Sequence, residues 1–412
     1  MYSKLCKLTI LAAAWFLCIG TGIAQPPALL GSGVSALGCS PSNNGTGHMV
    51  CAETIGNSMT GVSWLAPPNA GTINNVNLGA PAAPANSALS LGQVSCGSAN
   101  DGSGSAICGV QTTITNASTG QQSSELYGVM FYPPANSATS IAPIANLNAF
   151  SSAARFTVAP SCVSGTFSAK FPPPANQVEA ICAVVAQIPG NRGAELLAVA
   201  FNPTASAGVN SGFVSELSAA SFSGVGCTTI GNVAQDQQRT VAACAVNQAG
   251  SLRVLAFDPR NHFTSPVVTI PGNFIGSPAC AAPSDNSNAI LCIAVNGTEL
   301  EGIAVNPFTG TLLATQNLGT SPAGSWTGQV SCSLPNETNN ANSNTALCIS
   351  VTNADEIFTF NFDPRTGVRA SGVLNGAQMT TPSCLALAID KNQMSCGTSS
   401  NGTAFGFNII NP

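Results

Sequence analysis

Residues 280–315 read CAAPSDNSNAILCIAVNGTELEGIAVNPFTGTLLAT, and the rest of the chain repeats this plan. Cys280 and Cys292 enclose a polar segment rich in Pro, Ser, Asp and Asn. Cys292 lies inside an apolar run, Ala289-Ile290-Leu291-Cys292-Ile293-Ala294-Val295, and the next run ends in Val305-Asn306-Pro307. A last run, Gly310-Thr311-Leu312-Leu313-Ala314-Thr315, follows the turn. Short aliphatic runs bounded by turn formers are the signature of buried strands. The stretch therefore predicts four strands, a to d, with the first cysteine on a and the second on b.

Outward from there, the same order recurs seven times. The cysteine pairs are Cys39/Cys51, Cys96/Cys108, Cys162/Cys182, Cys227/Cys244, Cys280/Cys292, Cys332/Cys348 and Cys384/Cys396. Steps between first cysteines are 57, 66, 65, 53, 52 and 52 residues. A proline follows each second cysteine by 16, 25, 21, 15, 15, 16 and 16 residues, in Leu65-Ala66-Pro67, Phe131-Tyr132-Pro133, Phe201-Asn202-Pro203, Phe257-Asp258-Pro259, Val305-Asn306-Pro307, Phe362-Asp363-Pro364 and Ile410-Asn411-Pro412. An Asx side chain before proline suits the turn that ends strand c, because it bonds the backbone while proline presets φ.

A period near 50 residues is that of a four-stranded propeller blade. Strand c is apolar on both faces, as in Ala256 beside Phe257 and Ala200 beside Phe201, which a blade packed between two neighbours requires. Repeats of this size with one disulfide each could not bury self-sufficient cores, so they must stack. The expected fold is an all-β seven-bladed β-propeller with four strands and one disulfide per blade. Blades are expected to start near residues 38, 94, 160, 225, 278, 330 and 382. The chain stops at Pro412, where every other repeat has a strand d to come, while Gln25 to Leu37 precedes Cys39 as an orphan. The 25–37 segment is expected to complete blade seven and remove a free sheet edge.

The N-terminus reads as a secretory signal. Lys4 and Lys7 precede an apolar run from Leu8 to Gly20, and Gly22-Ile23-Ala24 offers small residues for cleavage after Ala24. The run is too short to span a bilayer comfortably, and no other stretch approaches a membrane span. Cleavage removes Cys6 and Cys18 and leaves fourteen of the sixteen cysteines, an even count suited to disulfides in an oxidising compartment, secreted or periplasmic. Zinc is the rival, but two histidines and no CxxC pair give the wrong ligand spacing.

Loss of Lys4 and Lys7 takes the net charge from −5 to −7, which argues against a nucleic-acid partner. Charged residues are only 7% of the chain, so the surface is built from hydroxyl and amide side chains that hydrogen-bond well and steer charged ligands poorly. Catalysis has little to work with. The histidines, His48 and His262, fall in blades one and four, nearly opposite each other. No GxSxG occurs, and Asp355-Glu356, the adjacent acidic pair, reads as a solvated turn. The residues Asn100-Asp101-Gly102-Ser103-Gly104 lack the alternating carboxylates of a calcium loop and read as a hairpin turn. No catalytic set, metal site or cofactor is expected. Trp64 on strand c is expected in the core, and Trp326, in the connection into blade six, at the surface.

Insertions in repeat proteins map to loops, often on the binding face. Gaps between paired cysteines are 11, 11, 19, 16, 11, 15 and 11 residues, so blades three, four and six carry long a–b loops on one face. Phe167, Lys170 and Phe171 lie in the blade-three loop and Arg239 in that of blade four; aromatics with cations suit a partner surface, or the loop folds back over its phenylalanines. Blade two has a separate b–c insertion, Thr112 to Glu125, on the opposite face.

In the pattern Pro-Ser-Cys, then Cys-Ala-Val, then Leu-x-x-x-x-Phe-Asp-Pro, the chain resembles secreted bacterial propeller repeats and is distantly similar to propeller lectins of the fucose-binding and tectonin type. The resemblance implies architecture over the whole mature chain. Those lectins offer repeated tryptophans at their sugar sites, which this sequence lacks, so no site residue carries over. Two functions stand: a non-catalytic binding module or adhesin recognising a protein or surface partner, and a lectin binding a glycan.

Overall fold

The computed structural model describes residues 28–410, apart from 43, 45, 66–72, 100–101, 166–178, 191–192, 205–210, 233–238, 284, 286, 323, 334–344, 355, 375–380, 387–392 and 401. These residues form seven antiparallel sheets. Their first strands touch in cyclic order: Val34–Pro41, Ser87–Ser98, Ser161–Gly165, Gly224–Asn232, Phe274–Ala281, Trp326–Ser333, Thr381–Ala386 and back to Val34–Pro41. The sheets are thus blades of a closed seven-bladed propeller with strand a innermost. Close contact at the axis needs small side chains before the first cysteine. A Cβ on Gly38 would lie 2.7 Å from the Val94 carbonyl oxygen, and Ser95 Oγ accepts the Cys162 amide at 2.9 Å.

Ala28–Ser32 pairs antiparallel with Thr403–Ile410, the third strand of blade seven, and closes the ring. The closing strand is shorter than the orphan segment suggests, because after Gly33 the chain enters strand a of blade one at Val34. A bulge between Leu29 and Gly31 changes which side chain points inward. Leu29 is exposed and Leu30 is buried beside Val34, Leu37, Met49, Val62 and Trp64.

Register explains the packing between blades. The second cysteine of each blade faces Val62, Val129, Val199, Leu255, Ile303, Phe360 or Phe407 on strand c. Two residues farther along c stand Trp64, Phe131, Phe201, Phe257, Val305 and Phe362 in blades one to six, all buried. One residue earlier stand Gly61, Gly128, Ala198, Val254 and Gly302 in blades one to five, and Gly406 in blade seven. Each large residue fits the small one of the preceding blade. A Cβ on Gly61 would meet Phe131, one on Gly128 would meet Phe201, and one on Gly302 would meet Phe362. Where the knob shrinks to Val305, the facing residue grows to Val254, in the same cluster. Burying one such phenylalanine stabilises by about 1.5–3 kcal/mol. Trp64 is core, as expected, and its register is that of the phenylalanines, one place off the proline landmark.

Six disulfides join strand a to strand b within a blade: Cys39–Cys51, Cys96–Cys108, Cys162–Cys182, Cys227–Cys244, Cys280–Cys292 and Cys332–Cys348. Each links directly opposed residues, and Cys384 stands opposite Cys396 in the seventh blade. They also act as packing units between blades: a Cβ on Gly109 would fall 2.7 Å from both sulfurs of Cys162–Cys182. Bonds of this kind form in an oxidising compartment. Among the described residues, no helix is long and apolar enough to cross a membrane.

One expectation needs correction. Trp326 is not a surface residue; it begins strand a of blade six, is buried, and lies edge-on to Phe358 at 5.3 Å and Phe360 at 5.9 Å. The 112–125 insertion is mostly strand, extending the pair Ala106–Asn116 and Gln122–Tyr132, with Arg155 of blade three donating to the Gln122 carbonyl.

Candidate functional site

In blades one to six the a–b hairpin and the c–d connection emerge at the same end of the sheet, so both line one face of the ring. The expected Asx turn is formed there in blades three to six. Asn202 accepts the Thr204 amide at 2.9 Å, Asp258 that of Arg260 at 3.1 Å, Asn306 that of Phe308 at 3.1 Å, and Asp363 that of Arg365 at 2.9 Å.

In blades four and six the residue after proline is arginine, and the turn becomes a clasp on the preceding blade. Arg260 donates Nε to Asp258 Oδ1 at 2.8 Å and Nη2 to Oδ2 at 2.7 Å, while Nη1 reaches Glu179 of blade three. Glu179 is the first residue of strand b, so the clasp fixes the root of the long blade-three loop. Arg365 makes the same fork on Asp363 at 2.9 and 3.0 Å, and its Nη1 reaches Asp285 at 2.8 Å and Ser287 at 2.7 Å in the blade-five hairpin. The planar fork suits a carboxylate, and a partly buried pair of this kind is held more tightly than an exposed one.

The carboxylates respond to burial and partners in different balances. Burial pushes Glu179 up despite the opposing pull of Arg260. Burial raises Glu216 to about 7, while Thr264 of blade four donates to it at 2.6 Å. Asp285 is held below its ordinary value: burial opposes ionisation, but bonds from Ser287 and the Arg365 charge outweigh it.

At the seam of blades one and two the chemistry changes. Tyr132 occupies the Asx position, and its hydroxyl accepts from Asn44 Nδ2 at 2.9 Å. Thr46 Oγ1 lies 3.3 Å from that hydroxyl and 2.9 Å from His48 Nδ1, with the imidazole edge-on to the tyrosine ring at 6.2 Å. Burial lowers the His48 pKa, favouring the neutral ring. His262 is a turn residue of blade four at φ 54°.

Of the sequence-derived partner surface, Phe167, Lys170 and Phe171 lie outside the described residues. Arg239 opens strand b of blade four opposite Asn232, at the end of the sheet where its a–b loop begins. Sequence reading missed the clasps, although their signal was present: Asp-Pro-Arg occurs at 258–260 and again at 363–365.

The sequence matches no known protein family and no curated protein. Among solved structures, the BP39L lectin from Burkholderia pseudomallei is similar, with a TM-score of 0.59 and 13% identity over 93% of this chain and 97% of that one. Sqt1 from Saccharomyces cerevisiae aligns with a TM-score of 0.48 and 12% identity over 95% and 100%. The fucose-specific lectin from Aleuria aurantia aligns at 0.41 and 10% over 84% and 96%. The likeness to BP39L is one of fold: this chain is a seven-bladed propeller distantly similar to a propeller lectin.

Proposed function

We propose that the protein is a secreted, non-catalytic binding module, residues 25–412 after removal of a 1–24 signal, that engages a protein or surface partner through its a–b loop face. The supporting observation is that the seams on this face do not repeat one pocket. Blades one and two meet through Tyr132, Asn44 and His48, blades three and four through Arg260 with two carboxylates, and blades five and six through Arg365, Asp285 and Ser287. Side chains that tie blades together make a firm base for the loops they grip. Loops of unequal length on such a base suit one extended partner, with Phe167, Lys170, Phe171 and Arg239 as contacts.

A second reading, glycan binding, is favoured by the fold shared with BP39L and by a surface rich in amides and hydroxyls. One experiment separates the two. The 166–178 and 233–238 loops are shortened until each cysteine gap equals the 11 residues of blade five. Labelled wild-type and shortened proteins are then applied to intact cells from the source culture and to a printed glycan array. The main reading expects cell binding that is lost on shortening and an array without specific signal. Array signal that survives shortening replaces it with the lectin reading, and cell binding that survives moves the partner site to another face.

A further inference from the structure

Glu53 is a carboxylate in an unusual place. It lies on strand b of blade one, His48–Ile55, two residues beyond Cys51, and is 1% exposed. The corresponding residues elsewhere are Val110, Val184, Val246, Ala294, Ser350 and Thr398. Cys51 and Glu53 share the face that meets blade seven, and a Cβ built on Gly31 of the closing strand would collide with the Glu53 carboxylate. Among the described residues, Oε1 has no hydrogen-bond partner. Nor does any neighbouring strand supply a countercharge. Ala28–Ser32, Val34–Pro41, Ser58–Leu65, Gln393–Ser400 and Thr403–Ile410 contain no Asp, Glu, Lys, Arg, His or Tyr, and His48 stands at the far end of the same strand.

We propose that Glu53 is a proton-operated latch on ring closure, neutral when the Ala28–Ser32 strand is seated and forcing that strand outward when it ionises. An unpaired charge in an apolar seam costs far more than a neutral acid there, so the group protonates or recruits water. The closing strand is the element that can yield: it is outermost, five residues long, bulged, and paired on one side only. Its displacement would let water reach the carboxylate without disturbing the inner strands.

The sign follows from proton linkage. Burial holds the folded-state pKa at about 7, above the ordinary 4.5. The folded ring therefore binds the proton more tightly than the unfolded chain. The stabilisation is complete below about 4.5 and is lost as pH rises through about 7. Between these values the unfolding constant rises by up to about tenfold per pH unit through this group.

The test compares wild type with E53Q, which keeps the neutral shape at every pH. Amide exchange in Leu29–Ser32, corrected for intrinsic rates, is measured from pH 5.5 to 8.5, with Leu196–Ala198 of blade three as internal reference. The latch predicts that protection of the closing strand falls several-fold relative to the reference in wild type and stays level in E53Q. Equal pH dependence in both proteins overturns it. Should E53Q fail to fold, wild type alone decides: parallel loss of protection in both segments contradicts the latch, and selective loss in the closing strand supports it.

Discussion

Trp64 of blade one lies over Gly406 of blade seven, where a Cβ would fall 2.7 Å from Cε2 of the indole. The pair is the ring-closing instance of the fit that joins the other blades, with the largest knob set against the smallest hole. Gly406→Ala should therefore destabilise the propeller by about 1–3 kcal/mol through overpacking. Trp64→Phe in the same chain should recover part of that loss, and urea denaturation of both single variants and the double variant measures the coupling. Independent, additive effects would show that the two residues do not share the seam.

The Arg260 clasp carries a pH prediction. Arg260→Met leaves Glu179 and Asp258 without a countercharge at side-chain exposures of 8% and 2%, which should cost about 3–5 kcal/mol at neutral pH. Burial already pushes the Glu179 carboxyl up, and losing the opposing pull of the guanidinium pushes it further, so the folded variant takes up a proton that the unfolded chain does not. Its deficit should shrink at pH 5 and widen at pH 8. Denaturation midpoints at the two pH values check this; a deficit independent of pH would mean that the arginine contributes packing alone.

Ala249 adopts φ 47° in the two-residue turn between Gln248 and Ser251, ahead of Gly250 at φ 86°. A non-glycine residue in the left-handed region is strained by about 1–2 kcal/mol. Ala249→Gly, or Ala249→Asn to give the favoured Asn-Gly turn, should raise the melting temperature, since the side chain is exposed and makes no core contact. A lower melting temperature for both variants would refute the turn geometry.

The closing strand should be indispensable. Removing residues through Ser32 strips Leu30 from the blade seven–blade one core and bares the Thr403–Ile410 edge. Aggregation or a large drop in melting temperature is expected, followed by light scattering during heating. Melting identical to that of the chain that keeps this strand would mean that the seam does not depend on it.

Much of the architecture was legible because a cysteine lies within strands a and b and a proline follows strand c in every repeat, and covalent and steric constraints keep such marks in place. Register was less so. In blade one the proline sits one place farther from the second cysteine's strand partner, which hid the equivalence of Trp64 with Phe131. The role of Glu53 was also hidden, because a lone glutamate in an alternating strand reads as a solvent-facing residue until the neighbouring blade covers it. Its signal is comparative: the other blades carry Val, Ala, Ser or Thr at that position. The Arg260 and Arg365 clasps join residues 81 and 80 apart in sequence, a distance no local pattern bridges.

Peptide mapping without reduction tests the central claim, seven blades each stapled within itself, most directly. Digestion of the unreduced protein and mass spectrometry of the linked peptides should recover Cys39 with Cys51, Cys96 with Cys108, Cys162 with Cys182, Cys227 with Cys244, Cys280 with Cys292, Cys332 with Cys348, and Cys384 with Cys396. A disulfide joining cysteines of two different repeats would contradict the blade register and the propeller built on it.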